Sequence, residues 1–200
     1  MKSLNPSVGL NGVPVGGSIV VNLAMTRNVA FPGFFEKESG VAAYSTAQVF
    51  GDFSYRYGVG PARIEPFDTV AYVAVNGAPF SETGGSAALH AVSNDTNITY
   101  NTAGARGAYS FNLGALVSTL EGSVGWRHAF GDLTPQQAFN FAGGSVFTVA
   151  GVPIAADALA VKSNVNFALT RSLLLAARYE GQFAKTSTDQ SVRGAMSYNF

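Results

Sequence analysis

The dominant pattern along the chain is an alternation of apolar and polar side chains with a period of two, which sends successive residues to opposite faces of a strand. The last segment is the clearest. Val192, Gly194, Met196, Tyr198 and Phe200 share one face, and Arg193, Ala195, Ser197 and Asn199 share the other. Upstream, Leu173, Leu175, Ala177, Tyr179, Gly181 and Phe183 oppose Arg178, Glu180 and Gln182, while Leu159, Val161, Val165, Phe167 and Leu169 oppose Lys162, Asn164 and Asn166. Leu120, Gly122, Val124, Trp126 and Phe130 oppose Thr119, Glu121, Ser123 and Arg127. Ala103, Ala105, Gly107, Tyr109 and Phe111 oppose Thr102, Gly104, Arg106 and Ser110, and Val49, Gly51, Phe53, Tyr55 and Tyr57 oppose Gln48, Asp52, Ser54 and Arg56. The run from Arg63 to Val75 is less regular, because Phe67 and Val73 share a side with Arg63 and Glu65. Seven long amphipathic strands are predicted, with an eighth from about Gly17 to Met25.

The links between them alternate in length. Gly58 to Pro61, Asn112 to Ala115 and Thr170 to Ser172 are short; Asn76 to Tyr100 and Gly131 to about Asp157 are long; Ala184 to Gln190 is intermediate. Short turns at one end and long loops at the other are the loop asymmetry of a transmembrane β-barrel. The predicted strands exceed the roughly 5–6 residues of soluble sheets and reach the roughly 9–11 needed to cross a bilayer. Aromatic residues gather toward the ends of the apolar faces as Tyr55 and Tyr57, Tyr109 and Phe111, Trp126 and Phe130, and Tyr179 and Phe183, the placement of an interfacial belt. The fold class expected is all-β: an antiparallel, up-and-down transmembrane barrel. A soluble barrel with its faces reversed, binding a small ligand, would show the same period.

Composition narrows the choice. The chain is 47% hydrophobic and only 12% charged, with 23 Gly, 15 Phe, 8 Tyr, one Trp and no Cys. Soluble domains carry about 25% charged residues. A mean hydropathy of only +0.18 nevertheless falls short of helical membrane spans, and no run of about 20 mostly apolar residues exists. Strands that divide each segment between lipid and a polar interior reconcile the two. Twelve Lys and Arg balance twelve Asp and Glu, so no basic field exists to hold nucleic acid. The charges fall largely on the polar faces: Asp52, Arg56, Arg63, Glu65, Arg106, Glu121, Arg127, Lys162, Arg178, Glu180 and Arg193 are expected to line a lumen. Asp68 is the exception, on the side of Ile64, Val70 and Tyr72, and is read as a local bulge, an interfacial position or a protein contact.

Several segments resemble the C-terminal β-domain, or translocator, of bacterial autotransporters. They are RNVAFPGF (Arg27 to Phe34), TAQVFGDFSYRY (Thr46 to Tyr57), IEPFDTVAYV (Ile64 to Val73), GWRHAFGD (Gly125 to Asp132), FAGGSVFTVAGVPIAADAL (Phe141 to Leu159) and the terminal MSYNF. The resemblance covers residues 27–200, with 1–26 unmatched. It implies the C-terminal part of a barrel of about twelve strands, in the bacterial outer membrane, whose polar pore serves secretion of an N-terminal passenger polypeptide. Val192, Gly194, Met196, Tyr198 and Phe200 are similar to the family's terminal signal, so barrel-assembly machinery and outer-membrane lipid join the passenger as implied partners. The unmatched start is expected to mark a truncated gene product.

Candidate chemistry is sparse. His90 lies near Ser93 and Asp95, which invites a nucleophile, base and orienter arrangement, yet no nucleophile-elbow glycine motif accompanies it. His128 sits between Trp126 and Phe130 on the apolar face, as an interfacial imidazole would. Asp52, Glu65, Glu121 and Glu180 alternate with arginines, which favours ion-paired pore lining over a general acid and base. No metal-ligand spacing or phosphate loop is found, so no catalytic residue and no cofactor is expected, and an outer-membrane hydrolase is the weakest alternative.

Overall fold

A computed structural model describes residues 7–9, 17–114, 116–170 and 172–198; Phe200, the last member of the predicted terminal signal, lies outside them. In chain order the strands are β1 (Ser7–Gly9), β2 (Gly17–Phe31), β3 (Phe34–Val59), β4 (Ala62–Gly77), β5 (Phe80–Ser81), β6 (Leu89–Ala91), β7 (Asn94–Leu113), β8 (Leu116–Gly131), β9 (Gln136–Phe141), β10 (Phe147–Ala150), β11 (Asp157–Ala168), β12 (Leu173–Ala184) and β13 (Thr188–Tyr198). The described residues form no helix.

The main sheet runs β1-β3-β4-β7-β8-β11-β12-β13, with β2 also on β3. Every pairing in it is antiparallel. Eight of its strands are long, as expected. Among the described residues, β13 pairs only with β12 and does not meet β1 or β2, so the barrel is not closed.

Three features differ from the expectation. First, β3 is 26 residues long, and its first part projects beyond β4 as a hairpin with β2, turning at Pro32 and Gly33. Gly33 takes φ +85°, a conformation that L side chains resist, and Phe31 and Phe34 stack across the turn with centroids 4.5 Å apart. Second, the intermediate link shrinks to 185–187, because Thr188 already pairs with Phe183 and Asp189 with Gln182. Third, the long links are structured: β5, β6, β9 and β10 pair into a separate sheet in the order β10-β9-β6-β5. Asp68 occupies no bulge. It stands opposite Phe53 on one side and Ala103 on the other, in a register that continues unchanged along β4.

The burial pattern is inverted relative to a soluble barrel. The buried hydrophobic residues among those described are Ala42, Ala91, Ile98, Ala129 and Ala158, which is too little for a hydrophobic core. Large apolar side chains stand in the open, with Ile64 59%, Trp126 53% and Val192 77% exposed, whereas Glu65 is 5% exposed. A soluble barrel would bury the first set and solvate the second.

Candidate functional site

The register aligns the polar positions of successive strands into rows across one face. One row runs Glu65, Arg106, Ser123, Lys162, Glu180, Ser191; the next runs Arg63, Ala108, Glu121, Asn164, Arg178, Arg193. Their members from Glu65 to Glu180 in the first row, and Arg63, Glu121, Asn164 and Arg178 in the second, border a concave space of about 420 Å³. All eleven charged residues expected to line a lumen lie on this polar face. Asp189, opposite Gln182, joins them; the sequence pattern put it in a link because it began the last strand too late.

Arginines hold the carboxylates on the β3 to β8 side. Glu65 accepts from Arg56 Nε at 3.1 Å and from Arg106 at 3.3 Å. Arg106 also pairs with Asp52, which accepts from the Thr69 hydroxyl at 2.6 Å. The Arg106 guanidinium lies 4.2 Å above the centre of the Phe67 ring, a cation–π contact. Phe67 rests over a hollow left by two glycines: a Cβ on Gly125 would come within 3.2 Å of the ring, and one on Gly104 within 3.0 Å. This accounts for the irregular period of β4, whose one large aromatic on the polar side fills space that Gly104 and Gly125 vacate. Farther along, Glu121 accepts from Asn164 at 3.1 Å and lies 3.9 Å from Arg63. Arg127 donates to Gln182 at 2.7 Å. Arg178 and Arg193 stand directly opposite each other, and neither they nor Lys162 form an ion pair among the described residues.

The aromatic residues lie on the opposite, apolar face. Tyr55 and Tyr57 are at the short-turn end of β3, 6.1 Å apart, and Tyr109 and Phe111 at that end of β7, 6.4 Å apart. Trp126 and Phe130 flank His128 at the long-link end of β8, Phe183 is at that end of β12, and Tyr179 is midway along β12. On β13, Val192, Met196 and Tyr198 project from the same face and are exposed, with Gly194 between them. His90 bonds Ser81 across β5 and β6 at 2.8 Å and makes no hydrogen bond to Ser93 or Asp95, so the arrangement weighed for the weakest alternative does not assemble there.

The chain matches the family described as the autotransporter β-domain over residues 15–180. The chain belongs to that family. Two relatives from Serratia marcescens, each named an extracellular serine protease, are 26% identical to it over 194 and 176 residues, covering 96% and 88% of this chain. The chain spans only 19% and 17% of their lengths. As an autotransporter β-domain it is the translocator, and the antiparallel strands with their two unlike faces are the wall of that domain. The translocator is not itself the catalytic part; the protease activity is stated in the names of the relatives.

Proposed function

We propose that the polar face of this β-domain lines a pore in the bacterial outer membrane through which a passenger polypeptide is secreted, while the apolar face meets lipid. The segregation of the faces carries the reading. Seven cations and the four predicted anions lie on one side, and exposed Ile64, Leu120, Val124, Trp126, Leu159 and Met196 on the other. Charges on the lipid side of a barrel cost about 2–4 kcal/mol each for Lys or Arg at mid-bilayer, so this partition suits a membrane wall. Residues 27–200 form the body of the domain in this reading, the aromatic pairs of β3, β7 and β8 and Phe183 sit at the two interfaces with Tyr179 between them, and the β13 pattern ending in Phe200 is read by barrel-assembly machinery. Flotation with phosphatidylcholine vesicles tests it. The chain is expected to float with the vesicles and to resist alkaline extraction; a detergent-free monomer at the bottom of the gradient overturns the proposal.

A further inference from the structure

A polar cluster interrupts the apolar face. Asn101 of β7 stands directly opposite His128 of β8, which stands directly opposite Asp157 of β11. Asn101 donates from Nδ2 to Asp68 of β4 at 2.8 Å. One oxygen of Asp157 lies 2.6 Å from His128 Nδ1 and accepts from Trp126 Nε1 at 3.0 Å. The cluster is open to the surroundings: the Asp157 side chain is 58% exposed, and Trp126 and Phe130 are about half exposed.

Resting on the membrane reading above, we infer that this cluster binds the hydroxyl-rich sugar headgroup of a membrane lipid. Three observations select that chemistry. The group is rich in acceptors, since both bonds to Asp157 fall on one of its carboxylate oxygens, and O–H donors bind carboxylates strongly. No Lys or Arg shares the apolar face of β4, β7, β8 or β11, so a phosphate would find carboxylates and no cation. Finally, adjacent strands stand about 4.8 Å apart, so a ring bearing several hydroxyls reaches the polar atoms of two neighbouring strands at once, which a single ammonium does not. The half-exposed faces of Trp126 and Phe130 offer apolar surface to the C–H side of such a ring. His128 and Asp157 lie at the long-link ends of β8 and β11, where a barrel wall meets lipid headgroups.

Trp126 is the only tryptophan of the chain and reports on the site directly. The full chain in phosphocholine-detergent micelles is titrated with octyl glucoside, with octylamine and with free glucose while Trp126 emission is followed. The glucoside is expected to give a saturable shift, octylamine a smaller one and glucose none. Asn101→Ala and Asp157→Ala are each expected to weaken the glucoside midpoint about tenfold, the effect of one lost hydrogen bond, with unchanged far-ultraviolet circular dichroism. A response that does not saturate, or a midpoint that both variants leave where the unaltered chain has it, overturns the inference; so does octylamine matching the glucoside, or glucose acting alone. A chain that does not enter micelles at all sinks the membrane reading itself, whereas a micelle-bound chain indifferent to the glucoside sinks only this inference.

Discussion

Phe67, Arg106, Gly104 and Gly125 form one packing unit, and glycine acts there through the space it leaves. A Cβ on Gly104 would collide with the Val124 carbonyl oxygen and come within 2.6 Å of the Gly125 Cα, both backbone atoms that cannot swing aside. Gly107, three residues on, is a natural control, because a Cβ there meets nothing nearer than the Arg63 carbonyl oxygen at 3.7 Å. Gly104→Ala should therefore cost about 1–3 kcal/mol through overpacking, with Phe67 displaced from beneath Arg106, while Gly107→Ala should cost nothing measurable. Urea midpoints of the folded form in detergent distinguish the two. Equal midpoints for both variants would show that the sheet absorbs a methyl group at Gly104 without strain. Glu65 belongs to the same neighbourhood, since it receives both Arg56 and Arg106 while nearly sequestered from solvent. Its two arginines keep the carboxylate paired, whereas on the β12 and β13 side Arg178 faces Arg193, an opposition that costs free energy in a sheet.

At the level of elements, the projecting β2–β3 hairpin is tied to the 78–93 link by carboxylates. Both oxygens of Glu38, which is wholly buried, lie within 3.1 Å of the Gly85 N–H that donates to them. Glu36 accepts from Ala87 N–H at 2.8 Å and from the Ser86 hydroxyl at 3.0 Å. Glu82 accepts from Leu89 N–H at 2.9 Å and pairs with Arg27. The backbone hydrogen bond from Ala87 holds the Glu36 carboxyl below the usual 4.5, and the hydrogen bond from Arg27 does the same for Glu82. A carboxyl lowered in the docked state contributes fully above 4.5 and loses its contribution as the pH falls through its docked value. The link should thus stay docked from pH 7 to pH 5 and loosen below 4.5, measured as exchange protection of the Gly85, Ala87 and Leu89 amides after correction for intrinsic rates. Protection unchanged at pH 3 would show that the carboxylates do not hold the link. None of this tie was read from the sequence. Glu36 and Glu38 keep the period of two, but their partners lie about 50 residues away, and Phe31 to Phe34 carries no alternation to mark the turn. The long strands from β4 to β13 were legible because each of their faces meets a different medium. The short strands β5, β6, β9 and β10 were not, because β6 pairs with β9 from another link and two to six residues establish no period.

For the whole molecule, the decisive property is an apolar exterior combined with an unpaired outer edge on β13 among the described residues. An exposed strand edge offers its backbone to another strand, and alternate side chains set which partner is accepted. On β13 those side chains are Val192, Met196 and Tyr198, each more than half exposed, while Arg193 and Ser197 point to the polar face. In the proposed reading the edge is where assembly machinery engages the domain before the wall enters the membrane, and Phe200 continues the apolar series. Removing Phe200 should lower the fraction of chain that is membrane-embedded and shifts in gel mobility on heating, with total synthesis unchanged. Met196→Ser should act in the same direction, and Ser197→Ala on the other face should have no effect. The two substitutions separate recognition by the apolar face from strand pairing, because both residues stand in the β12–β13 ladder, Met196 opposite Leu175 and Ser197 opposite Leu174. Equal embedded fractions with and without Phe200 would remove the terminal residue from the signal, and equal effects of Met196→Ser and Ser197→Ala would remove the face.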